Sequence, residues 1–226
     1  MALVWILFIG IAIASYAVSA MLQSRFKKYS RIPIRNGMTG KDVSETMLQQ
    51  SGIYNVNVVS TRGHLTDHFN PSNMTINLSE PVYGSNSVAA AAVAAHETGH
   101  AVQHATQYGP LKLRSALVPV VSFANQWVTW VLLAGILLIN IFPNLIWFGI
   151  ALFAFTTLFS FVTLPVEINA SNRALAWLSE AGITDSSNEA QARDALKWAA
   201  YTYVVAALGS LATLIYYVMI ALGRRD

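Results

Sequence analysis

Long uncharged apolar runs alternate with mixed polar stretches along this chain. Residues 2–22 carry no charge, and about 20 apolar residues suffice to cross a bilayer. Residues 116–164 form a longer apolar region, interrupted at Asn140-Ile141-Phe142-Pro143-Asn144. The proline between asparagines predicts a tight turn, so this region reads as a hairpin of two spans. A last uncharged run covers residues 199–222, long enough for a fourth span. Leu164-Pro165 is expected to end the hairpin, with a new helix running from Glu167 to Ala181 and Gly182 beyond it as a stop. Asn188 is expected to cap the helix that becomes the last span.

The polar stretches show shorter periods. Thr39 followed by Asp42 marks a helix start, with an amphipathic helix over residues 42–50 ending at Gly52. Residues 54–60 alternate Val with Asn, a strand pattern. Residues 65–69 and 74–79 read as two further strands around the turn cluster Asn70-Pro71-Ser72-Asn73. From Val88 the chain is almost all alanine and valine, with Ser87 placed to cap a helix and Gly109-Pro110 placed to stop one.

Composition agrees with the runs. Of the 226 residues, 54% are hydrophobic and only 11% charged, a balance that points to a membrane protein rather than a soluble domain. The net charge of +3 is too small, and its basic residues too local, for nucleic-acid binding. Arg25, Lys27, Lys28, Arg31 and Arg35 follow the first run instead of preceding it. An uncleaved anchor with its amino terminus outside is therefore expected. Nine Lys or Arg lie in residues 23–115 and three in 165–198, against Arg224 and Arg225 alone on the other face. That asymmetry predicts a multi-pass protein of the cell membrane with both polar segments in the cytoplasm. There is no cysteine, so any bound metal must be held by His and carboxylate.

The candidate chemistry sits at His96-Glu97-Thr98-Gly99-His100. Two histidines four apart on a helix share one face and can reach one metal ion, here Zn2+. Glu97, beside the first ligand, is placed to act as general base on a water. Zinc in a hydrolase keeps three protein ligands and one open position. For the third, His104 lies one turn beyond His100, and His64 and His68 lie before the helix. A metzincin would place a third histidine at position 106, which is Thr106. Glu167 is the favoured candidate, because it opens the helix expected directly at the exit of the membrane hairpin. An ordinary glutamate stabilised by a helix dipole would look the same in sequence. His68, Tyr83, Tyr108 and Tyr203 are candidate donors to an oxyanion.

The motif His-Glu-Thr-Gly-His-Ala-Val-Gln at 96–103 has companions in Leu65-Thr66-Asp67-His68-Phe69-Asn70-Pro71 and Leu164-Pro165-Val166-Glu167-Ile168-Asn169-Ala170-Ser171. Together they resemble the YugP-type membrane zinc metallopeptidases over nearly the whole chain. More distantly the layout is similar to the HtpX-type membrane proteases, which are gluzincins. That resemblance implies a glutamate third ligand after the membrane spans, matching Glu167. The aspartate those proteases carry four residues later is Ser171 here, which leaves Asn169 or Arg173 to orient the ligands.

The fold class expected is a mainly α membrane protein: about four transmembrane helices with a small, zincin-like α+β catalytic domain containing a short β-sheet. Its divisions are an anchor (1–22), a catalytic domain with the H-E-x-x-H helix (23–115), a membrane hairpin (116–164), a helical region with the third ligand (165–198) and a final span with its tail (199–226). The function expected is a membrane-embedded zinc endopeptidase with His96, His100 and Glu167 on the metal and Glu97 as base. Its substrates are peptides or proteins, membrane proteins among them, and other membrane proteins or further copies of the chain are candidate partners. The edge of the small sheet offers a place for an extended peptide. The alternative is a non-catalytic zinc-binding scaffold or partner of other membrane proteases. An intramembrane site-2-type protease fits poorly, because the run before His96 is too short to span and no Asp lies between Lys112 and Glu167.

Overall fold

The computed structural model describes residues 2–223, with the side chains of residues 2–4 left aside. The expectation for the Arg224–Arg225 tail lies outside the described residues. Among the described residues, four helices are long and apolar enough to cross a membrane: α1 (Ala2–Tyr29), α5 (Gly109–Leu137), α6 (Pro143–Glu180) and α7 (Glu189–Leu222). The protein is thus a multi-pass membrane protein, as the apolar runs predict, and it also carries a small mixed sheet within the polar stretch before the H-E-x-x-H helix. The remaining elements are α2 (Gly40–Gln50), β1 (Asn57–Thr61), β2 (His68–Asn70), β3 (Thr75–Ser79), α3 (Glu80–Tyr83) and α4 (Val88–Ala105).

The chain divides into two compact units. The apolar unit comprises the described parts of Met1–Ala17, Lys112–Pro165 and Thr202–Asp226. Its helices pack through small residues, as helices in lipid do where close approach is the main source of cohesion. A Cβ added at Gly135 of α5 would stand 2.7 Å from Ile146 Cα of α6. On α6 and α7, Thr157 Oγ1 and Ser210 Oγ are 2.8 Å apart and satisfy one another.

The second unit comprises Val18–Leu111 and Val166–Tyr201. At its centre is α4, built mostly of alanine, the best helix former. Small side chains let neighbours approach closely, so most of its residues are buried, among them Val88 and Gln103. Ser87 caps it, its hydroxyl accepting from the Ala90 amide at 3.2 Å. The sheet has the order β1-β3-β2, with β1 parallel and β2 antiparallel to β3. Ile76 and Leu78 of β3 are fully buried in the core that includes Val43, Met47 and Val82. The capping box at α2 forms as its sequence predicts, with Thr39 N donating to Asp42 at 2.8 Å and Asp42 N to Thr39 Oγ1 at 3.3 Å.

Two sequence expectations about helix ends are corrected. Gly109-Pro110 opens α5; α4 has already ended at Ala105. A proline in the first turn of a helix forfeits no hydrogen bond, so the same dipeptide serves as a start. Pro165 does not end a helix either: α6 runs unbroken for 38 residues through it. At 1.5 Å per residue that is about 57 Å, well beyond a hydrocarbon core of about 30 Å. Glu167 therefore sits deep within a continuous helix rather than in a first turn, and the helix-dipole account of it is removed.

Candidate metal centre

Each part of the site is fixed by local sequence. Helical spacing puts His96 and His100 on one side of α4, their rings 4.8 Å apart and nearly perpendicular. From α6, Glu167 reaches both: its Oε2 lies 3.3 Å from His96 Nε2 and 3.5 Å from His100 Nε2. Among the described residues, His96, His100 and Glu167 form a cluster whose ligating atoms all lie within 4.8 Å of one another. Glu167 is only 3% exposed. His68 and His104 are outside this cluster.

Helix α6 comes this close because position 99 is glycine. A Cβ there would stand 2.8 Å from the Ala170 carbonyl oxygen and 3.3 Å from Ala170 Cα. Those are backbone atoms, which cannot rotate away. The glycine within H-E-T-G-H thus sets the separation between the two helices that carry the cluster.

Both histidines are held by the nitrogen that faces away from Glu167. His100 Nδ1 is 3.0 Å from Gln103 Oε1. The Gln103 amide nitrogen is already donating to the Val166 carbonyl at 2.8 Å and to Asn169 Oδ1 at 3.0 Å. Gln103 Oε1 is consequently an acceptor, His100 Nδ1 carries the proton, and Nε2 keeps its lone pair for a metal. Arg173 Nε donates to Asn169 Oδ1 at 2.8 Å and completes this chain. His96 Nδ1 lies 3.1 Å from Ser171 Oγ. Ser171, not Asn169 or Arg173, is therefore the residue that orients His96, while Asn169 and Arg173 act on His100 through Gln103.

The geometry fits zinc. Donors at 2.0–2.1 Å in a tetrahedron stand about 3.3–3.4 Å from each other, and the two His–Glu separations are 3.3 and 3.5 Å. The electrostatics favour a cation as well. Burial alone would push the His100 pKa down, yet the hydrogen bond to Glu167 and the charges of Glu97 and Glu167 outweigh it and raise it. Two carboxylates in so enclosed a place call for positive charge.

Glu97 points elsewhere. Its Oε2 accepts the Phe69 backbone N–H at 3.1 Å, so β2 holds the carboxylate beside the cluster. Phe69 is the middle residue of a three-residue edge strand, and this bond engages its outward N–H. The strand thereby holds Glu97 through its backbone. Of the candidate oxyanion donors, His68 is exposed on β2 with Nδ1 2.8 Å from the Thr66 carbonyl, Tyr83 ends α3 and Tyr108 precedes α5. Tyr203 lies on α7, in the other unit.

Sequence reasoning missed Gln103, Gly99 and the Phe69 amide. Gln103 had a signal, three residues after His100 and thus on its face of the helix. The Phe69 contact is long-range and had none.

Comparison with known proteins agrees with this centre. Residues 4–222 match the family model described as "Putative neutral zinc metallopeptidase". The chain is 43% identical over 224 residues to the "Putative membrane protease YugP" of Bacillus subtilis (strain 168), covering 97% of this chain and 99% of that protein. No solved structure matches the chain.

Proposed function

We propose a mechanism for this chain, which belongs to the neutral zinc metallopeptidase family, in which His96, His100 and Glu167 hold Zn2+ and Glu97 is the general base. Family membership together with the buried cluster makes the protein a zinc metallopeptidase of the membrane, acting on peptide substrates. The assignment of roles rests above all on one observation: each histidine has its Nδ1 engaged, so both Nε2 atoms converge on Glu167.

Zinc held there supplies a Lewis acid that polarises the scissile carbonyl and acidifies water. Glu97 takes the proton of the attacking water and returns it to the departing amine nitrogen. The Phe69 amide keeps the Glu97 carboxylate aimed. Gln103 holds the His100 imidazole in the tautomer that presents Nε2, and Ser171 fixes the orientation of the His96 ring. His96, His100 and Glu167 would supply three protein donors, one fewer than a closed structural zinc site has.

The cytoplasmic side is our reading for the active site, supported by twelve Lys or Arg in residues 23–115 and 165–198 against two in the tail. The endoproteolytic mode and membrane-protein substrates belong to the same reading. The experiment that tests the mechanism is Glu97→Gln. The variant keeps its zinc, because Glu97 is not a ligand, and loses peptide hydrolysis. Substantial turnover by the variant would overturn the role, and a wild type that holds zinc without cleaving any peptide would favour the scaffold instead.

A further inference from the structure

Helix α5 carries a polar face where lipid should be. Ser122, Asn125, Gln126 and Thr129 follow one another at spacings of three and four, so they share one side of the helix. All four are exposed. The buried side is a different one, formed by Val121, Ala124, Val128 and Leu132. The depth of this face follows from the sequence. Arg114 is the last charged residue before the span, and the next is Glu167. Asn125 comes eleven residues after Arg114, about 16 Å along the helix and so near the middle of a hydrocarbon core of about 30 Å.

Within the chain this face is only partly satisfied. Asn125 Oδ1 accepts from Thr156 Oγ1 at 3.1 Å. The Asn125 amide nitrogen and the whole Gln126 amide make no hydrogen bond to the described residues. Lipid tails offer neither donors nor acceptors, so such groups seek another helix.

We propose that this face of α5 is the docking surface for a second copy of the chain within the bilayer. The chemistry selects that occupant. A carboxamide both donates and accepts, and a two-fold interface sets residues near the axis against their own copies. Asn125 and Gln126 can therefore be satisfied by themselves across the axis. A charged residue could not be, and α5 has none from Ser115 to its end.

The chain contains no cysteine, so single cysteines can be placed at will. Ser122→Cys and Thr129→Cys lie on the polar face; Phe123→Cys and Trp130→Cys lie on exposed positions to its side. Under mild oxidation in native membranes, the first pair is expected to yield a disulfide-linked homodimer and the second pair little. Adding Gln126→Leu, which removes no bond within the chain, is expected to abolish most of that cross-linking while zinc content stays unchanged. Retained zinc shows that the variant is folded, and replacing an amide by leucine in lipid does not threaten the helix.

Equal cross-linking on both sides, or a persistent monomer, would overturn the proposal. So would a cross-link to a different protein, or labelling of Gln126→Cys by a membrane-impermeant maleimide, which would show a water-lined face. None of these readouts depends on peptide hydrolysis, so this proposal can fail while the mechanism stands, and the reverse.

Discussion

Gly99→Ala gives the account a demanding test, because the substitution adds one methyl group and touches no ligand. The new Cβ would stand 2.8 Å from the Ala170 carbonyl oxygen. Ordinary contact begins near 3.4 Å, so α6 must retreat by about 0.6 Å. Glu167 lies three residues before Ala170 on the same rigid helix and retreats with it. Its separations from His96 and His100, now 3.3 and 3.5 Å, then open towards about 4 Å, beyond what a tetrahedral zinc shell spans. Overpacking of this kind costs about 1–3 kcal/mol, which corresponds to about 5- to 150-fold in zinc affinity if the strain falls on the shell. Chelator competition on the purified protein measures it. Gly84→Ala is the control, since a Cβ there meets nothing within 4 Å. Ala170→Gly is expected not to rescue, because the atoms in conflict are backbone. Alanine is also the better helix former by about 1 kcal/mol, so α4 itself should not weaken. Zinc affinity and cleavage in Gly99→Ala equal to wild type would refute the reasoning.

Replacing Glu97 by Gln is expected to lower peptide hydrolysis by about 10²- to 10⁴-fold, the usual worth of a general base, with metal content unchanged; steady-state cleavage beside metal analysis reads both. Gln103→Leu removes the acceptor that fixes the His100 tautomer, and second-layer losses of this type cost about 10- to 100-fold in metal affinity. Ser171→Ala should do the same for His96, and a titration of both variants checks it. At α2, Thr39→Ala is expected to cost about 1 kcal/mol in the stability of the folded protein, measurable by thermal unfolding. The Thr39 side-chain and backbone hydrogen bonds hold the Asp42 pKa below its ordinary 3.8. Because the folded value is the lower one, this stabilisation is fully present above pH 3.8 and fades as the pH falls through the folded value. Asp42→Asn should therefore flatten the acid limb of a stability–pH curve and leave its neutral part unaltered in shape.

Much of the architecture can be read from runs and caps. The four spans follow from uncharged length, α2 from the Thr39–Asp42 pair and α4 from Ser87 with its alanine run, because each is a local preference. Pro165 shows where local reading stops. A proline inside a helix costs a hydrogen bond, yet α6 continues through it to bring Glu167 beside His96 and His100. Gly109-Pro110 failed as a stop because the same pair also begins helices. Of the centre, His96, Glu97 and His100 were visible as a spacing and Glu167 as a carboxylate at a membrane exit. The partners that orient them were not, since Ser171 acts 75 residues from His96 and Phe69 acts 28 residues from Glu97. Nothing in a one-dimensional pattern encodes such pairings.

Metal content of the purified protein, wild type beside Glu167→Ala, tests the central claim most directly. The account predicts one zinc per chain in the wild type and little in the variant, because two histidines alone leave the shell a ligand short. Full zinc in Glu167→Ala would contradict it and move the third ligand to another residue. An absence of zinc from both would contradict the metal centre itself.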